Sequence, residues 1–142
     1  MPPLSRRYLK TSFVFGILAI LTGMHMGSAL HLQAGSMHRY YSSAHTHMVL
    51  VGFFLMMWMS FLLWKLPTAP TGSRYKPGLM VLCWWLMMLS TSARFLFECW
   101  IGYLVPEPDW LHNAIFTAAM VQGTTVIAFL INLMPRINAT SE

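Results

Sequence analysis

Long apolar runs alternate with short polar breaks along the whole chain. The runs cover about residues 11–33, 44–66, 78–104 and 110–134. Each exceeds the ~20 residues that a helix needs to cross a ~30 Å hydrocarbon layer. The breaks, Gly35-Ser36, then Pro67 to Ser73, then Pro106 to Asp109, are made of residues that end helices. Connections this short favour antiparallel neighbours. The pattern predicts an all-α, integral membrane, antiparallel four-helix bundle in one domain, residues 1–142. Asp109 is placed to N-cap the fourth helix, and Ser42 or Ser43 the second. The leader MPPLSRRYLK also fits a signal peptide of twin-arginine type, but a retained first span is the better expectation.

Composition agrees with the pattern and removes several functions. Only 9% of the 142 residues are charged and 56% are hydrophobic, against about 25% charged in a soluble domain. The net charge of +5 is not a nucleic-acid footprint, because the basic residues mark the ends of apolar runs. Arg6, Arg7, Lys10, Lys65, Arg74, Lys76 and Arg136 fall on one side, whereas the other two loops hold only Arg39 beside Glu107 and Asp109. The positive-inside rule then puts both termini in the cytoplasm, in what reads as the inner membrane of a prokaryote. On that side the Asn138-Ala139-Thr140 sequon is chance. Cys83 and Cys99 share one predicted helix about 24 Å apart, too far for a disulfide. No nucleophile–base pair, phosphate loop, zinc motif or carboxylate pair is present, which leaves hydrolysis and phosphoryl transfer without support.

Histidine placement is the main chemical signal. Counting from the basic anchors at ~1.5 Å per residue, His31, His45, His47 and His112 fall at the outer boundary and His25 within the outer third. His38 lies in the outer loop, so all six histidines share one side. Imidazole within a span is costly and points to function. His45 and His47 are two residues apart, about 200° around a helix, so they cannot clamp one ion together. One ring should face the bundle and the other lipid headgroups, a loop or a second protomer. The face of His45 continues through Met48, Val49, Gly52 and Phe53, a stripe that suits either helix packing or a flat macrocycle. Gly16, Ala19, Gly23 and Gly27 on the first span likewise favour close helix contact or room for such a group. Met24, Met26, Met37 and Met48 adjoin histidines, and thioether with imidazole suits Cu(I). Arg94 and Glu98, four apart, are either an intrahelical pair or an inward cation for an anionic group. Trp84, Trp85, Trp100 and Trp110 read as interfacial anchors.

The stretch AHTHMVLVGFFLMMWMSFLLWKLP, Ala44 to Pro67, resembles the second helix of the catalytic subunit of haem–copper oxidases, nearest to the nitric oxide reductase and cbb-type branches. With the glycine-bearing first helix, the likeness covers roughly residues 12–67, which would make the chain a reduced four-helix relative. The resemblance implies that His45, in the His45-Thr46 pair, is an axial ligand of b-type haem. That family has about twelve helices, and its partner histidine and copper ligands come from helices with no counterpart here. Its copper and oxygen chemistry is therefore not expected. The second axial ligand would be His112 or His25, or else His31, His47 or a partner chain, with Arg94 or Arg39 near the propionates. Bis-histidine ligation leaves no open position for substrate, which implies electron transfer or structural support. The expected function is thus a small haem b protein, or a haem-bearing accessory subunit meeting other membrane subunits or its own copies. The alternatives are copper delivery through outer His and Met, and a cofactor-free accessory subunit.

Overall fold

The computed structural model describes residues 1–32, 39–101, 104 and 107–139, with the backbone alone at 29–32 and 39. Every regular element among them is helical: α1 (Pro3–Leu32), α2 (Arg39–His47), a π-helical segment (Met48–Leu55), α3 (Met56–Lys65), α4 (Pro77–Ile101) and α5 (Asp109–Asn138). The π segment joins α2 to α3 without a break, so the three pieces form one second rod. Four helical stretches are long and apolar enough to cross a membrane: Pro3–Ser28, Tyr40–Lys65, Pro77–Ile101 and Asp109–Asn138.

These bounds correct the sequence reading at the helix ends. The first helix starts at Pro3 rather than near residue 11, because Pro is favoured in a first turn and the basic residues 6–10 continue the helix. Ser42 and Ser43 lie inside α2, not at its N-cap, and Ser43 spends its hydroxyl on Glu98. Asp109 is the first residue of α5, and Pro108 holds the N-cap position without a side-chain bond.

Many polar residues point inward beside an apolar core, and many apolar ones point outward. Ser5, Ser12, Thr22, Ser60, Ser90, Thr91, Glu98, Gln122, Thr125, Asn132 and Arg136 are buried, whereas Phe13, Ile17, Leu50, Trp58, Phe116 and Ile131 are among the exposed side chains. Water would penalise so much exposed apolar surface; lipid does not, and it makes internal hydrogen bonds the means of joining helices. The basic end of the molecule is tied this way. Ser5 Oγ donates to the Ser60 carbonyl and Ser60 Oγ to the Ser5 carbonyl, both at 2.7 Å. Tyr8 donates to the Met80 carbonyl and Trp84 Nε1 to Thr11, linking α1 to α4. Asn132 of α5 bonds both backbone groups of Lys76 at 2.9 Å. Arg136 caps the end of α3 by donating to the carbonyls of Leu63, Leu66 and Pro67, groups that no helix can satisfy by itself.

The seam between α1 and the second rod depends on missing side chains. A Cβ at Gly16 would lie 2.9 Å from Phe53 Cδ2, one at Gly23 2.9 Å from His45 Cε1, and one at Gly52 2.9 Å from Phe15 Cβ. Of the glycines expected to serve either close helix contact or room for a flat group, Gly16, Gly23 and Gly52 are filled by Phe53, His45 and Phe15, whereas a Cβ at Gly27 would meet nothing within 4 Å among the described residues. Gly52→Val is expected to lower stability by about 1–3 kcal/mol through overpacking. Gly123→Ala, where a Cβ meets nothing within 4 Å, is expected to be neutral or stabilising; unfolding of both variants in detergent, followed by circular dichroism, checks the contrast.

Candidate functional site

The two histidines of the second rod turn to different neighbours. His45 faces α1, where its Nδ1 donates to the Ala19 carbonyl at 3.0 Å. A carbonyl only accepts, so this contact puts the ring proton on Nδ1 and leaves Nε2 as the basic nitrogen. Nε2 has no hydrogen-bond partner among the described residues. The half-buried ring also lines a cleft of about 520 Å³ between α1 and the π segment, whose other walls include Phe13, Ile17, Ile20, Val49 and Phe54. That volume falls within the ~300–1,000 Å³ typical of cofactor sites.

His47 departs from the expectation that the second ring faces lipid, a loop or another protomer. Its Nδ1 donates to the Ser43 carbonyl at 2.9 Å and lies 3.7 Å from Glu98 Oε1. The cause is the position of α2 between α1 and α4, which gives both sides of the helix a protein neighbour. The π segment that follows is a second departure, since it adds a residue to each turn and shifts the His45 stripe. Met48 and Gly52 become buried, while Val49 and Phe53 reach the cleft. Such segments are rare and concentrate at functional sites.

Glu98 gathers a polar cluster on the far side of α2. Its Oε1 accepts from Arg94 Nε at 3.1 Å and from Ser43 Oγ at 3.0 Å. Arg94 also reaches Gln122 Oε1 at 3.4 Å, and Gln122 donates to Thr91. Glu98 Oε2 is buried with no hydrogen-bond partner among the described residues. The intrahelical reading of Arg94 is what the contacts show, with Glu98 and Gln122 as its partners. Gln122 and Thr91 were not singled out in the sequence; Thr91 sits in a Ser90-Thr91-Ser92 run and Gln122 just before Gly123-Thr124-Thr125, so each reads as one of several small or polar residues.

The remaining candidates are dispersed. His112 uses both ring nitrogens, Nε2 donating to Glu107 at 3.2 Å and Nδ1 lying 3.2 Å from the Tyr40 hydroxyl. His25 is exposed and packs edge-on against Tyr41, one turn before His45 in the second rod. The side chains of His31 and Arg39, and all of His38, lie outside the described residues. Among the described residues, no three His, Cys, Asp or Glu side chains form a group able to hold a metal ion. Cys83 and Cys99 are free thiols. Among the described residues, one unpartnered imidazole nitrogen thus stands beside an apolar cleft, and the cleft walls supply no second histidine.

The Arg94–Glu98 pair generates a direct test. Glu98→Leu leaves the half-buried Arg94 guanidinium without its carboxylate and is expected to be destabilising, by less than the ~3–5 kcal/mol of a fully buried pair. Replacing both residues by leucine is expected to restore most of that loss, read from thermal unfolding of the two variants in the same detergent.

Compared with protein-family models, curated proteins and solved structures, the chain matches none.

Proposed function

We propose that this chain is a multi-pass membrane protein that binds b-type haem in the cleft between α1 and the second rod, with His45 Nε2 as an axial ligand. The observation that carries this reading is the Nδ1 bond to the Ala19 carbonyl. A metal-bound histidine nearly always donates its other ring N–H to a carbonyl or carboxylate, which fixes the tautomer and raises the basicity of the ligating nitrogen. The apolar walls exclude water from the site, and the π segment presents Val49 and Phe53 to the same space.

His112 is poorly suited as the second ligand, since ligation would cost one of its two ring contacts. His25 lies further out along the α1–α2 seam, against Tyr41. The cleft opens on an apolar flank bearing exposed Phe13, Ile17 and Phe54. That exposure favours a sixth ligand from a neighbouring subunit or a second copy, and hence a haem-bearing accessory subunit in electron transfer. Arg94 is engaged by Glu98 and Gln122, which leaves Arg39, the basic residue nearest His45 in the sequence, for the propionates. When bound, b-type haem supplies one-electron transfer at a potential tuned by its ligands and surroundings.

The chain contacts support an antiparallel arrangement, with Ser5 beside Ser60 and Glu98 beside Ser43. The distribution of lysine and arginine supports cytoplasmic termini and an outward-facing histidine end in a prokaryotic inner membrane. The copper reading needs several His and Met side chains on one ion, and the described histidines instead engage separate partners.

Purified protein is expected to give a reduced-minus-oxidised haem b spectrum and a pyridine haemochrome, with no stoichiometric copper in the same sample. His45→Ala is expected to abolish the spectrum and His112→Ala to keep it. A folded, colourless wild-type preparation would remove the haem proposal, and copper without haem would replace it with the copper one.

A further inference from the structure

At the basic end, α4 and α5 enclose a second groove, of about 790 Å³, whose lining includes Arg74, Lys76, Leu79, Ala128, Ile131 and Met134. Its chemistry is divided. Arg74 and Lys76 stand exposed at the rim, and neither side chain has a hydrogen-bond, ion-pair or ring partner among the described residues. Below them the walls are mainly apolar, with Asn132 and Asn138 as the polar members, and Ile131 and Met134 are 67% and 52% exposed, so the groove opens sideways toward whatever surrounds the bundle. The bonds from Asn132 to both backbone groups of Lys76 hold the start of α4 against α5, so the rim does not depend on a loose loop. The adjacent start of α4 adds the positive end of a helix dipole to the two cations.

From this arrangement we infer a binding site for an anionic glycerophospholipid. The phosphate sits between Arg74 and Lys76, and an acyl chain lies along Leu79, Ala128, Ile131 and Met134. Basic residues over apolar helix–helix grooves at a membrane boundary recognise lipids of this class. Neither half of the site is explained without the other, since a free anion has no use for the apolar wall and a neutral lipid none for the paired cations. The inference needs the membrane reading but not the haem.

Native mass spectrometry of the full chain, released from nanodiscs of mixed phosphatidylglycerol and phosphatidylcholine, tests it. Phosphatidylglycerol is expected to remain bound after phosphatidylcholine has been stripped. R74A/K76A is expected to weaken that retention about 30-fold, the factor two such contacts correspond to. Ile131→Trp, which fills the groove and keeps both charges, is expected to weaken it as well. Equal retention of both lipids, indifference to R74A/K76A, or equal competition by inorganic phosphate would overturn the inference. Successful insertion of the chain into the nanodiscs, scored by circular dichroism, separates its failure from failure of the membrane reading.

Discussion

The packing of α1 against the second rod sets the position of everything that has chemical interest in this chain. Three glycines act as holes along that seam, and Phe53, His45 and Phe15 are the knobs that enter them. Lipid gives helices no hydrophobic reason to associate, so close backbone approach and internal hydrogen bonds supply the attraction. His45 belongs to both kinds of contact, because its ring fills the space at Gly23 while its Nδ1–H satisfies the Ala19 carbonyl. A side chain held by shape and by a hydrogen bond together has little rotameric freedom left. That is the condition a metal-ligating nitrogen requires, and it arises here from ordinary helix packing.

The other polar groups divide the molecule into two ends with different tasks. At the basic end, Ser5, Ser60, Asn132 and Arg136 tie helix termini together, and Arg136 does so by capping a helix to which it does not belong. At the histidine end, His45 and His47 donate to backbone carbonyls, and the ionisable contacts run side chain to side chain: Glu98 with Arg94 and Ser43, and His112 with Glu107. The first set of bonds resists disruption because lipid offers these polar groups no alternative partner. The second set depends on charge, and Glu98 Oε2, buried without a hydrogen-bond partner among the described residues, is a cost that the rest of the fold sustains.

Much of this was legible in the chain itself. Runs of apolar residues gave four helices, since length and hydropathy are local properties. The divergence of His45 and His47 followed from helical periodicity alone. What escaped was whatever depends on a distant neighbour. Ser43 looks like a helix cap until Glu98 is placed opposite it. His47 looks lipid-facing until α4 covers that side of α2, and Arg136 looks like a surface anchor until the end of α3 arrives beside it. The π segment has no composition signal, because Met48–Leu55 is apolar throughout and would suit any helix. The glycine stripe was visible, but whether its holes held a cofactor or a side chain depended on the register between two helices.

Nitrogen-15 NMR of the imidazole at position 45, recorded on the full chain in bilayers, addresses the central point most directly. A neutral ring protonated at Nδ1, with Nε2 unprotonated and its resonance displaced when haem is added, is the expected result. A ring protonated at Nε2, or an Nε2 resonance indifferent to haem, would contradict it.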